Sequence, residues 1–118
     1  MKVAVLGASA NPERYAFKAV KSLLAKGHEP FGVSPQLPKL EVPVVSSVRE
    51  LPPGIHTLTL YVGPARSAEM QEELLGYPFQ RVIMNPGAEN AGLAAALRAK
   101  GVEVVEACTL VMLSTGQF

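Results

Sequence analysis

The stretch Met1-Lys2-Val3-Ala4-Val5-Leu6-Gly7-Ala8-Ser9-Ala10-Asn11-Pro12-Glu13-Arg14-Tyr15 decides the fold. Val3 to Leu6 form a short apolar run, the pattern of a strand buried on both faces. Gly7 breaks the run and a loop of small residues follows. Asn11-Pro12-Glu13 then has the composition of a helix start, with Asn as N-cap, Pro at the first helical position and an acid in the first turn. Strand, glycine turn and helix N-terminus in succession make an anion site. Free backbone N–H groups and the positive end of the helix dipole point at whatever lies above the strand, and nucleotide phosphates are the usual occupants.

Outward from this stretch, strands and helices alternate. The first helix is predicted over Pro12–Lys26, with Ala16, Ala19, Val20, Leu23 and Leu24 on one face and Gly27 as its C-terminal cap. A strand is expected over Glu29–Val33, and a proline-rich loop from Ser34 to Pro43 leads to a short strand at Val44-Val45. Ser46 or Ser47 caps a turn of helix through Leu51, and Pro52-Pro53-Gly54 ends it. A strand over Thr57–Val62, a helix over Ala65–Leu75, a strand over Arg81–Met84, a helix over Asn90–Lys100 and a strand over Glu103–Glu106 complete the series. The apolar tail from Thr109 to Leu113 is expected to fold back onto the sheet. Ala25-Lys26-Gly27-His28-Glu29 and Ala99-Lys100-Gly101-Val102-Glu103 repeat one helix-to-strand connection. The alternation predicts an α/β, Rossmann-like doubly wound parallel sheet in one domain over residues 1–118. Right-handed crossovers favour strand order 3-2-1-4-5-6.

Composition narrows the function. A chain of 118 residues is one domain by length, and 48% hydrophobic residues are enough for a real core. The net charge of +1, with both signs scattered, argues against nucleic acid as partner. No apolar run reaches the roughly 18 residues of a membrane span. The first residues enter a strand directly, which predicts no signal peptide and a cytoplasmic protein. One cysteine excludes an internal disulfide and a cysteine-based metal site. All ten acidic residues are Glu, so no Asp serves as ligand, base or orienter. No metal site is expected.

In such sheets ligands bind at the carboxyl ends of the strands, where the strand order reverses. The loops there are Gly7–Asn11, Ser34–Lys39, Val62–Arg66, Asn85–Asn90 and Ala107–Thr109. His28 and His56 fall at the amino ends of strands, on the opposite rim, and read as structural or surface residues. A dinucleotide fingerprint needs Gly-x-Gly-x-x-Gly. Only Gly7 matches; Ser9 and Pro12 stand in the second and third glycine positions. The acid expected after the second strand is replaced by Val33-Ser34-Pro35, which leaves a ribose diol without its carboxylate. The cations point elsewhere. Arg14 lies near the helix start, Lys39 in the loop where an adenosine ribose would sit, and Arg66 at the start of the next helix on that rim. A ligand with a diphosphate and a ribose phosphate uses such charges well. Cys108 is the one nucleophile on this rim; without a nearby His it reads as a small hydrophobe, the alternative being thiol pairing with a ligand.

These residues resemble the small coenzyme A-binding domain family, related to the amino-terminal nucleotide-binding domain of the succinyl-CoA synthetase alpha subunit. The resembling segments are Val5–Tyr15, Val33-Ser34-Pro35, Tyr61-Val62-Gly63-Pro64, Asn85-Pro86-Gly87 and Glu106-Ala107-Cys108, spaced over nearly the whole chain. The first is the most specific. The resemblance implies coenzyme A as cofactor. It implies Gly7, Ala8, Ser9, Asn11, Arg14 and Tyr15 around the diphosphate. It places Ser34, Pro35 and Lys39 by the adenosine and its 3′-phosphate, and Val62, Gly63, Pro64, Asn85, Pro86 and Gly87 along the pantetheine arm. The chain departs from the family after the second strand, where Ser34-Pro35-Gln36 stands in place of an Asn-Pro-Lys pattern. The synthetase's phosphohistidine domain is not in this sequence, and no catalytic residue is assigned. The expected function is binding of coenzyme A or an acyl-CoA by a carrier, sensor or regulatory module. The rivals are an NAD(P)-binding oxidoreductase-like module and an interaction protein that has lost its ligand. A homo-oligomer or a protein partner stays open.

Overall fold

The computed structural model describes residues 1–118. The elements in chain order are β1 (Lys2–Leu6), α1 (Tyr15–Ala25), β2 (Glu29–Val33), β3 (Val44–Val45), a 3-10 turn (Val48–Glu50), β4 (Thr57–Leu60), α2 (Pro64–Glu69), α3 (Gln71–Gly76), β5 (Arg81–Met84), α4 (Ala91–Ala99), β6 (Glu103–Glu106) and α5 (Thr109–Ser114). The six strands form one parallel sheet in the order β3-β2-β1-β4-β5-β6. This is the Rossmann-like doubly wound arrangement expected from the alternation.

Strand periodicity divides the core in two. Ala4, Leu6, Leu58, Leu60, Val82 and Met84 face one side and pack with Leu74 of α3 and with Leu93, Ala94 and Leu97 of α4. Val3 and Val5 face the other side and meet Ala16, Val20 and Leu23 of α1 and Leu113 of α5. Each such apolar side chain, fully buried, contributes about 1.5–3 kcal/mol. The register pairs Leu6 with both Val33 and Leu60, and Leu60 with Met84, so the carboxyl ends of β2, β1, β4 and β5 finish level. No helix is long and apolar enough to cross a membrane.

Three local expectations need correction. Helix α1 starts at Tyr15, with Arg14 in extended backbone as its N-cap, and not at Pro12. Asn11 closes a local turn instead: its Oδ1 accepts from the Glu13 amide at 3.0 Å, and its carbonyl accepts from the Arg14 amide at 3.0 Å. This is the local bonding by which Asn favours a turn over a helix. The helix predicted over Ala65–Leu75 is two short helices that meet at Met70, whose amide bonds to the Ser67 carbonyl at 3.2 Å in a tightened last turn. The strand predicted over Thr57–Val62 ends at Leu60, while the apolar tail folds back onto the sheet as expected, with Leu113 of α5 packed against Val3 and Val5. By contrast Asn90 caps α4 as its sequence implies, accepting from the Leu93 amide at 3.0 Å.

His28 sits at the amino-end rim. The Met1 ammonium donates to its Nδ1 at 3.2 Å, and its ring packs 5.0 Å from that of Phe118. Burial first, then the positive charges of Met1 and Arg81, push its pKa below 6.5. A folded-state value below the unfolded one means that the unfolded chain takes up the proton first as pH falls. Stability is therefore insensitive to this group above about pH 6.5 and falls as pH drops through that value towards the folded pKa. Thermal melts from pH 8 to pH 5 are expected to show this loss, and His28→Gln to show a smaller one over the same interval.

Candidate functional site

The level ends of β1, β2, β4 and β5 leave a cleft of about 700 Å³ above the sheet, a size typical of a small-molecule site. Its floor is the turn after β1. The Gly7 amide donates to Val33 O at 2.9 Å, and the Tyr61 amide donates to Leu6 O at 2.9 Å, so the turn is held between β2 and β4. Gly7 has φ +94°, and a Cβ there would stand 3.2 Å from the Tyr61 carbonyl oxygen and 3.1 Å from Val62 Cγ1. Only glycine satisfies both the left-handed backbone and the close approach.

Beyond Gly7 the chain leaves amides free. Ser9 Oγ accepts from the Asn11 amide at 3.0 Å. The amides of Ser9, Ala10, Tyr15 and Ala16 have no acceptor within the protein, and all four residues line the cleft. Moving the helix start from Pro12 to Tyr15 therefore preserves the donor set and shifts the free helical amides three residues along. Arg14 and Arg66 stand in the walls, and the lining contains no carboxylate. Neither guanidinium has a carboxylate partner; the single ion pair of the fold is Lys21 with Glu41.

Of the residues singled out in the sequence, Gly7, Ala8, Ser9, Asn11, Arg14, Tyr15, Ser34, Pro35, Val62, Gly63, Pro86 and Gly87 all line this cleft. Three do not. Pro64 opens α2 at its first position, and its carbonyl accepts from Ser67 Oγ at 3.2 Å. Lys39 lies in a smaller neighbouring groove with Phe17, Lys21 and Glu41. Asn85 is 2% exposed and lies beneath the cleft. Its Nδ2 donates to Thr59 Oγ1 at 2.8 Å and to Leu60 O at 2.9 Å, and its Oδ1 accepts from the Thr109 amide at 2.8 Å. One side chain thus fastens the end of β5 to β4 and to the start of α5.

The sequence reading also passed over residues that line the cleft: Ala10, Ala16, Gln36, Pro38, Tyr61 and Ala88. Tyr61 was the legible one, because Thr57, Thr59 and Tyr61 alternate onto the same face. Its hydroxyl is buried without a hydrogen-bond partner. The hydroxyls of Thr59 and Thr109 stand nearby but bond to each other, 2.7 Å apart. Burial pushes the phenol up to about 12; the two threonine hydroxyls offset this only in part, and neighbouring Cys108 adds to it. Cys108 itself opens α5, is half-buried and lies outside the cleft lining. No three His, Cys or Glu side chains come together as a metal site would require.

The fold is a Rossmann-like α/β domain that carries a cleft of small-molecule size over a glycine turn, with guanidinium groups and free amides in its lining. The chain matches the family described as CoA binding domain over residues 1–114, and it belongs to that family. Among solved structures it is similar to an uncharacterized protein, with 37% identity, a TM-score of 0.93 and coverage of 99% of this chain and 97% of that one. It is similar also to a conserved hypothetical protein from Pyrococcus furiosus, with 32% identity, a TM-score of 0.82 and coverage of 93% and 97%. A dinucleotide-forming acetyl-coenzyme A synthetase 1 of Ca. Korarchaeum cryptofilum, in complex with phosphate and ADP, shares the fold at 16% identity and a TM-score of 0.75, with coverage of 90% of this chain and 25% of that one. No curated protein matches the chain.

The bonding of Asn85 predicts a structural role. Asn85→Ala leaves the Thr109 amide and a share of Thr59 unsatisfied in the interior, a loss of about 1–3 kcal/mol. Urea denaturation is expected to register that loss.

Proposed function

We propose that this protein binds coenzyme A, or an acyl-CoA, in the cleft above β1 and β4, as a carrier, sensor or regulatory domain without catalysis of its own. The observation that carries the reading is the carboxylate-free lining that Arg14, Arg66 and the residues of four unbonded amides share with the Gly7 turn. Such donors suit a diphosphate, since charge-assisted bonds from guanidinium and amide to phosphate are roughly twice as strong as neutral ones. In this reading Gly7, Ala8, Ser9, Asn11, Arg14 and Tyr15 surround the diphosphate. Ser34 and Pro35 adjoin the adenosine. Val62, Gly63, Pro86 and Gly87 flank the pantetheine arm. Kinship with the nucleotide-binding domain of the succinyl-CoA synthetase alpha subunit belongs to the same proposal and rests on the segment Val5–Tyr15.

The sheet topology alone suits a dinucleotide equally well. The residues after β2, Ser34 and Pro35, favour coenzyme A over NAD, because no acid is there to take a ribose diol.

Coenzyme A at about 100 times its dissociation constant is expected to stabilise the native state by about 2.7 kcal/mol. In a domain of this size that is a rise of several degrees in Tm. Scanning calorimetry with coenzyme A, NAD and NADP in parallel tests the reading; a shift with NAD and none with coenzyme A at millimolar concentration rejects it. Arg14→Ala is expected to weaken coenzyme A binding by about 1.5–3 kcal/mol, the scale of a charged hydrogen bond, measured by titration calorimetry.

A further inference from the structure

Resting on the coenzyme A reading, we infer that the cleft recognises its ligand through the diphosphate and leaves the ribose 3′ position unread. Dephospho-coenzyme A is then a ligand of the same standing as coenzyme A.

The inference comes from where the charges lie. Both guanidinium groups of the lining, Arg14 and Arg66, belong to the segments that follow β1 and β4. Those two strands are neighbours, and the diphosphate lies above the β1 turn. In the coenzyme A reading the adenosine end lies over β2, which flanks β1 on the side opposite β4. The lining there is Ser34, Pro35, Gln36 and Pro38, and none of them carries a charge. The Ser34 hydroxyl already accepts from the Gln36 amide at 3.4 Å.

The only cation of that loop, Lys39, is outside the cleft lining. Leu37 has φ +48°, the one non-glycine residue of the chain with a positive φ. A left-handed residue reverses the chain locally. Pro38 comes back to the cleft lining, while Lys39 lines the neighbouring groove with Phe17 and Leu40. Glu41 lines that same groove and pairs there with Lys21. A 3′-phosphate placed beyond Ser34 stays in water, where its charge is screened within about 10 Å at ordinary salt. It gains no charge-assisted bond.

Titration calorimetry on the full chain with coenzyme A and with dephospho-coenzyme A tests this. The expected result is two dissociation constants within fivefold of each other, both unchanged by Lys39→Ala and both raised more than fivefold by Arg66→Ala. Coenzyme A binding more than fivefold tighter than the dephospho form overturns the inference. If Lys39→Ala removes that preference, Lys39 reaches the 3′-phosphate after all. Arg66→Ala without effect on either ligand overturns the role of the diphosphate wall. Failure of both ligands to bind the wild-type chain is a different result: it rejects the coenzyme A reading beneath the inference, and the inference falls with it.

Discussion

Two backbone hydrogen bonds set everything above the sheet. One runs from the Gly7 amide to Val33 O, the other from the Tyr61 amide to Leu6 O. Between them they fix the turn after β1 at the height of its neighbours, and the packing allows no side chain at position 7. Because parallel strands in this order send β2 and β4 to opposite sides of β1, the chain leaves the sheet in diverging directions on either side of that turn. The cleft is the space so opened. Its free amides, its two arginines and its lack of carboxylates are arranged around a backbone geometry that hydrogen bonding and one glycine enforce.

The architecture was legible because it rests on patterns of short range. Val3 to Leu6 read as a doubly buried strand, Gly27 and Gly101 as helix ends, and the alternation of elements as a parallel sheet; the strand order follows from handedness. Most of the cleft lining could be named for the same reason, since any residue just past the end of a parallel strand faces the ligand side. Where some loop residues stand was not legible in this way. Asn85 follows a strand and looks like a ligand contact, yet its partners Thr59 and Thr109 lie 26 and 24 residues away in the chain. Nothing local announces that they meet beneath it. Lys39 sits in the right loop, but its direction depends on a left-handed Leu37 that leucine's own preferences oppose. At Asn11 two outcomes, helix cap and turn, use the same side-chain chemistry, and the Arg14 amide decided between them.

The two faces of the sheet differ in kind. One is an unbroken apolar layer under α3 and α4. The other changes character across its width, from Val3 and Val5 under α1 to Thr57, Thr59 and Arg81 on β4 and β5. Arg81 is 8% exposed and donates to Thr57 Oγ1 at 3.1 Å and to the Phe118 carbonyl at 2.7 Å. Hydrogen bonds there do what packing does on the opposite face. They are directional, so each fixes the placement of the two groups it joins.

One atom of that polar half is out of balance. The Tyr61 hydroxyl is enclosed, and the two threonines beside it bond to each other. A phenylalanine at position 61 would fill the same volume without an oxygen to desolvate, and it would remove from a residue of the cleft lining the polar atom that stands beside Thr59 and Thr109.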